Sequence, residues 1–215
     1  FSVASENFSN TFKIKDGEQL EVSLKENSTL GLLKGNSDSP SLKTFLKDTN
    51  GNDKLNIINS TNFGAGATLF YAMNSGTAIL DTDYTATYGQ NSSTSILSGK
   101  DNSTVGVESG AKLITNTKVS LIATETSTAN NKGIITSTRS IQDASGNYDN
   151  GVGIYTNKST GKNSGTITMT TIQSVGIFSE NNSSAENTGT IETGGEKSAG
   201  IYAKDSNVTQ SGTGN

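Results

Sequence analysis

The 20 acidic side chains of this chain are scattered, and one pair stands close enough in sequence to consider for acid–base chemistry. Asp81 and Asp83 lie two residues apart in Leu80-Asp81-Thr82-Asp83-Tyr84, on one face of an extended segment. Paired carboxylates cleave glycosidic bonds when a cleft holds them on either side of the sugar linkage. A solvated strand face or a turn is the plainer reading of two acids at this spacing. The one arginine, Arg139, has no partner readable from spacing. Histidine and cysteine are both absent, which removes Ser-His-Asp and Cys-His arrangements and thiolate metal sites. Asp48-Thr49-Asn50-Gly51-Asn52-Asp53 begins like a calcium loop, but its sixth position is not glycine and Asn59 stands where the bidentate glutamate belongs. An Asn-Gly turn reads better. No catalytic residue, metal site or cofactor is expected, and the chain is expected not to be an enzyme.

The other side chains with recognisable chemistry are aromatic, and they recur. Gly151-Val152-Gly153-Ile154-Tyr155 returns as Ser174-Val175-Gly176-Ile177-Phe178 and as Ser198-Ala199-Gly200-Ile201-Tyr202. Between the copies, Asn163-Ser164-Gly165-Thr166-Ile167 returns as Asn187-Thr188-Gly189-Thr190-Ile191, then partly as Gln210-Ser211-Gly212-Thr213. The anchor glycines are 23 and 24 residues apart in the first phrase, and 24 and 23 apart in the second. Two interleaved phrases on one period point to stacked coils. Tyr155, Phe178 and Tyr202 would then form a column of rings. Such a column offers a platform for a sugar ring or a partner side chain, or else shields strand backbones.

Phrases this short, separated by Gly, Asn, Ser and Thr, suit strands and turns. The reading is an all-β chain, a right-handed parallel β-helix with about 24 residues per coil and small insertions. Alternation puts Val152, Val175 and Ala199 in one inner column and Ile154, Ile177 and Ile201 in the next, with Gly176 and Phe178 facing the other way. Asn163 and Asn187 are placed at a turn, where each amide can bond to its copy one coil away. Leu69-Phe70, Ile96-Leu97, Leu121-Ile122, Ile154-Tyr155, Ile177-Phe178 and Ile201-Tyr202 read as equivalent rungs, at spacings of 27, 25, 33, 23 and 24. The long interval holds a turn-rich insertion at 139–150. Insertions in solenoids often carry binding, so Arg139, Asp143 and Tyr148 join Tyr155, Phe178 and Tyr202 as binding candidates. Residues 1–62 read as a strand-and-turn region packed on or continuous with the solenoid. It has strand, turn, strand over 12–24 and a possible short helix near 40–47, capped by Ser39 and led by Pro40. Residues 63–215 read as solenoid rungs cut short at the C-terminus.

Hydrophobic residues make up 30% of the 215, low for a compact globule but enough for coils that each bury a thin strip. The net charge of -4 is spread singly and argues against a nucleic-acid surface. No apolar run approaches the roughly 18 residues of a membrane span. A threonine array at Thr166, Thr168 and Thr170 is broken by Glu192 one coil on, which weakens an ice- or crystal-binding reading. Neither the shorter repeat of a trimeric adhesin head nor the heptad run of its coiled-coil stalk is present in the sequence. A monomer is expected.

The G-I-Y/F and N-[ST]-G-T-I phrases at 152–155, 163–167, 174–178, 187–191 and 198–202 resemble the passenger domains of large fusobacterial autotransporter adhesins, secreted by the type Va route. The resemblance covers the last third of the chain and extends more weakly upstream. It implies a β-helical exoprotein anchored through a C-terminal outer-membrane barrel that this sequence does not contain. It also implies exposure on the bacterial surface and attachment to a host receptor or glycan, or to partner bacteria, as a virulence factor. A purely structural stalk and a polysaccharide-active β-helix are the alternative expectations.

Overall fold

The period becomes geometry in the computed structural model, which describes residues 3–5, 14–22, 24, 26–35, 41–57, 66–87, 94–142, 146 and 151–214. First come β1 (Val3–Ser5), β2 (Leu20–Val22), β3 (Thr29–Lys34), a helix α1 (Leu42–Leu46) and β4 (Leu55–Ile57). Six coils of three strands follow. They are β5 (Thr68–Met73), β6 (Thr77–Leu80) and β7 (Tyr84–Ala86); β8 (Ser95–Gly99), β9 (Thr104–Val107) and β10 (Lys112–Thr115); β11 (Val119–Thr124), β12 (Thr128–Asn131) and β13 (Ile134–Ser137); β14 (Val152–Asn157), β15 (Thr160–Asn163) and β16 (Thr166–Met169); β17 (Val175–Glu180), β18 (Ser184–Asn187) and β19 (Thr190–Thr193); and β20 (Ala199–Lys204), β21 (Asn207–Gln210) and β22 (Thr213–Gly214).

Equivalent strands of successive coils pair in parallel, giving three sheets along one axis. The first runs β1-β3-β5-β8-β11-β14-β17-β20, the second β6-β9-β12-β15-β18-β21 and the third β7-β10-β13-β16-β19-β22. This is a parallel β-helix. Each coil is too thin to bury its own apolar residues, and stacking about 4.8 Å from its neighbours turns one or two aliphatics per strand into a continuous core. Phe70, Leu97, Leu121, Ile154 and Ile177 are stacked in register and buried.

The Asn-x-Gly phrase accounts for one corner. Asn131, Asn163 and Asn187 end β12, β15 and β18, are buried, and stand in register with one another and with Gln210. Asn131 Nδ2 donates to Asn163 Oδ1 at 2.7 Å, Asn163 Nδ2 to Asn187 Oδ1 at 2.7 Å, and Asn187 Nδ2 to Gln210 Oε1 at 3.0 Å. Each asparagine carbonyl also serves the next coil: that of Asn163 accepts the N–H groups of Thr188 at 2.8 Å and Gly189 at 3.1 Å. The expected amide ladder exists and spans four coils. It starts at Asn131 because Val107, its register partner in the coil before, has no donor. Asn131 Oδ1 is accordingly a buried acceptor without a hydrogen bond. A serine ladder holds another corner, where the N–H groups of Ser103, Ser127 and Ser159 donate at 3.1 Å to Ser127, Ser159 and Ser183 Oγ.

The first coil is closed by α1. Ser41 pairs in parallel with Ile79 of β6, in the place a preceding coil would take. Leu42, Phe45 and Leu46 are buried in the same core cluster as the coils, with the Phe45 ring edge-on to Phe70 at 5.7 Å. The sequence allowed a helix on the flank or over the end; it lies over the end. Ser39 and Pro40 fall outside the described residues, and the Ser41 side chain does not cap the helix. Asp81 does so from the solenoid: its Oδ1 accepts the Lys43 N–H at 2.7 Å and its Oδ2 accepts Ser41 Oγ–H at 2.5 Å. Asp81→Ala should therefore free α1 at a cost of about 1–2 kcal/mol, as for a lost cap. Hydrogen exchange should quicken at 42–46 while the amides of β14 to β19 stay protected.

Three expectations need correction. The rung assignment is one residue out in the first two coils, because Phe70 and Leu97, not Leu69 and Ile96, are in register with Leu121. Adjacent apolar pairs leave that choice open in sequence. Of the first strand expected over 12–15, residues 14 and 15 are not in a strand and 12 and 13 lie outside the described residues; β2 pairs in parallel with β4. Val152, Val175 and Ala199 are not an inner column, because the strand bends at the glycine that follows each of them. Asp83, exposed between β6 and β7, agrees with the plain reading of a solvated turn and accepts the Lys112 N–H at 2.9 Å. The plain reading of Asp48 does hold. Its Oδ1 accepts the N–H groups of Asn50 at 2.9 Å and Asn52 at 2.8 Å, and its Oδ2 accepts Asn52 Nδ2 at 3.0 Å, which closes a turn. These bonds, the Asn52 side chain foremost, hold its carboxyl below the usual range.

Candidate functional site

The first sheet does not alternate through its whole length. Pairing passes from Val152–Val175 directly to Ile154–Ile177, skipping Gly153 and Gly176, and does the same at Ser120 and Gly200. At these positions the chain bends so that two successive residues face inward. A Cβ on Gly153 would lie 2.9 Å from Ile167 Cγ2 and 2.6 Å from the Gly176 carbonyl oxygen, inside the core. The next residue, Ile154, is also buried. The residue before the bend is thereby turned outward. Val119 and Val152 lie outside the continuous core cluster although each is buried, at 8% exposure, beneath its neighbours, and Val175 is half-buried.

Two outward ladders flank the bend and leave a groove between them. One is Val119, Val152, Val175; the other is Ile122, Tyr155, Phe178, which continues to Tyr202. The groove has a volume of about 380 Å³ and is edged by Lys118. Phe178 and Tyr202 stack at 4.9 Å with 29° between planes, while Tyr155 and Phe178 lie at 5.7 Å and 32°. The inner ring faces cover one another. Towards Ile122 the ladder steps down to a smaller side chain, so the far face of Tyr155 borders the groove.

A polar rim fixes the Tyr155 ring. Its hydroxyl donates to Glu180 Oε1 at 2.5 Å, and Asn157 Nδ2 donates to the same hydroxyl at 3.3 Å and to Glu180 Oε1 at 3.2 Å. Burial, and then the Glu180 bond, raise the phenol's pKa, so it stays a donor at neutral pH. The site can offer an apolar slot with an oriented aromatic wall. It holds no nucleophile with a base beside it, and among the described residues no group of three or more His, Cys, Asp or Glu could hold a metal ion.

The sequence candidates divide. Tyr155, Phe178 and Tyr202 come together as one column, with Tyr202 47% exposed. Arg139 does not join them. It is 1% exposed and its Nη1 donates to the Asn116 carbonyl at 3.1 Å, so the side chain serves the wall between coils and is not presented to a partner. Asp143 and Tyr148 lie outside the described residues. Val119, Ile122, Val152 and Val175 were missed as site residues, as were Asn157 and Glu180. The signal that could have found the valines was glycine inside a strand, which marks a bend or close approach where alternation fails. Comparison with known protein families, curated proteins and solved structures finds no match.

Proposed function

We propose that this chain is an adhesive segment of an extracellular β-helical passenger of the autotransporter type. It docks an apolar side-chain cluster of a host-cell receptor into the first-sheet groove. One observation carries the reading: a rigid rod presents a concave apolar and aromatic strip on its outer face, where nothing in the construction of the coils requires one. The coils are held by inner aliphatics and by the amide and serine ladders. The strip is a part-buried groove, with Val119 and Val152 at 8% exposure on its floor and Tyr202 exposed at its end, and mostly apolar grooves of this kind are common binding sites. The Tyr155–Glu180–Asn157 rim supplies orientation, and aromatic side chains of this type dominate binding hot spots.

The test is flow cytometry of fluorescently labelled protein on cultured epithelial cells. Saturable binding is expected, with the Tyr155→Ser, Phe178→Ser double variant at least tenfold weaker, since hot-spot truncations cost about 2 kcal/mol or more. Absence of saturable binding would favour a stalk that spaces a distal tip from the cell. Undiminished binding by the variant would place recognition elsewhere on the rod.

A further inference from the structure

A second groove lies on the outer side of the second sheet, against the start of α1. Its volume is about 450 Å³, within the roughly 300–1,000 Å³ of small-ligand sites. The outward column there reads Ile79, Gly106, Asn130. Gly106 places no side chain between the other two; the space its Cβ would take is filled by the Asn130 carbonyl oxygen, with Ile79 Cδ1 beside it, so the groove floor is Ile79 and the backbone at Asn130. The neighbouring outward column reads Thr77, Thr104, Thr128 in register. Ser41, Asp81, Glu108 and Lys132 complete the lining of the groove.

The charges on this rim are already matched. Asp81 accepts bonds from Ser41 and the Lys43 N–H. Glu108 accepts the Ser109 N–H at 3.1 Å and pairs with Lys132 at 3.3 Å. The neutral groups are not matched: the Thr77 and Thr104 hydroxyls and the Asn130 amide make no side-chain hydrogen bond with other described residues. Each of these can both donate and accept, and they surround the half-buried aliphatic Ile79. A ligand suited to this lining carries no net charge, presents closely spaced groups that donate and accept, and has a C–H face to set on Ile79. That is the chemistry of a sugar.

We propose that this groove binds a neutral saccharide of about two rings, held by Asn130, Thr77 and Thr104 with one C–H face on Ile79. The site is separate from the first-sheet groove and its ligand does not depend on that reading. Glycoside hydrolysis needs one carboxyl kept protonated by a raised pKa, whereas the Ser109 N–H and then Lys132 hold the Glu108 carboxyl below its ordinary range.

Isothermal titration and saturation-transfer NMR with cellobiose, lactose and N,N′-diacetylchitobiose test the proposal on the whole chain. At least one of these should bind the wild type, with its ring C–H protons receiving the saturation. Asn130→Ala and Thr104→Val should each weaken that binding roughly three- to tenfold, the worth of a lost neutral hydrogen bond. Both residues face outward, and Thr104→Val keeps the shape of the strand, so melting should be unchanged in at least that variant. Tyr155→Ser with Phe178→Ser should leave the titration as it was. The proposal is overturned if no probe binds in the millimolar range, if Asn130→Ala and Thr104→Val bind as the wild type does, or if binding is lost only in the first-sheet variant.

Discussion

Alanine in place of Gly189 should remove more than about 4 kcal/mol of stability, the range reserved for changes the structure cannot absorb. Gly133, Gly165, Gly189 and Gly212 follow the ladder residues Asn131, Asn163, Asn187 and Gln210 by two positions, at the corner between the second and third sheets. Gly165, Gly189 and Gly212 each sit against the carbonyl oxygen of the glycine one coil earlier, and a Cβ would fall inside that oxygen's van der Waals shell. The obstacle is backbone fixed by the neighbouring coil, so no side chain can move aside. The left-handed region is not involved at these positions. The contrast is Gly200, where a Cβ would meet only Ile191 Cγ2, at 3.8 Å. Gly200→Ala should change stability by less than about 1 kcal/mol. Circular dichroism melting checks the pair: a midpoint lowered by roughly 10 °C or more for Gly189→Ala, and nearly unchanged for Gly200→Ala. Equal midpoints would mean that the coils are not stacked at this corner as described.

Breaking the amide ladder at its middle comes next in size. Asn163→Leu removes the donor to Asn187 Oδ1 and the 3.0 Å bond to the Thr190 carbonyl. Two acceptors are left short, the first of them fully buried, and at about 1–3 kcal/mol for an unsatisfied group the loss is roughly 2–4 kcal/mol. Asn131 is less affected, since its Nδ2 still donates to the Thr166 carbonyl at 3.0 Å. Asn163→Asp separates hydrogen bonding from shape. Its ionised carboxylate would accept from Asn131 but would face Asn187 Oδ1 with no proton to give. Burial and that facing oxygen raise its folded pKa above the unfolded value of about 3.9. The group's contribution is therefore present below the unfolded pKa and lost as pH rises through the folded one. Asn163→Asp should be markedly less stable than wild type at pH 7 and regain part of the difference near pH 4. Urea titrations at the two pH values read this directly. Asn163→Leu should show no such recovery.

The coil and its ladders were legible in sequence because they are periodic. A coil that stacks on its own copy repeats whatever makes stacking work, so Asn163 and Asn187, Gly165 and Gly189, and Ile177 and Ile201 announce themselves by spacing. The groove was half legible. Its rings share the repeat, but its valines were assigned to the interior because strict alternation was applied across Gly153 and Gly176, where the strand bends. Residues that act once, without a copy, were hidden. Asp81 looked like half of an acid pair and is the cap of α1, a partnership spanning 38 residues that no local pattern encodes. Arg139 read as a binding candidate in an insertion and is packed into the wall, because a long side chain's direction cannot be read from turn-rich neighbours.

The chain contains no cysteine, which permits the most direct test of the claim that the first-sheet groove is the adhesive surface. Val175→Cys, in the groove, and Thr168→Cys, on the outer side of the third sheet, can each be labelled with a bulky maleimide and applied to the same epithelial cells. Filling the groove at Val175→Cys should weaken cell binding at least tenfold, while the label at Thr168→Cys should leave it at the wild-type level. Equal binding by the two labelled proteins would contradict the account.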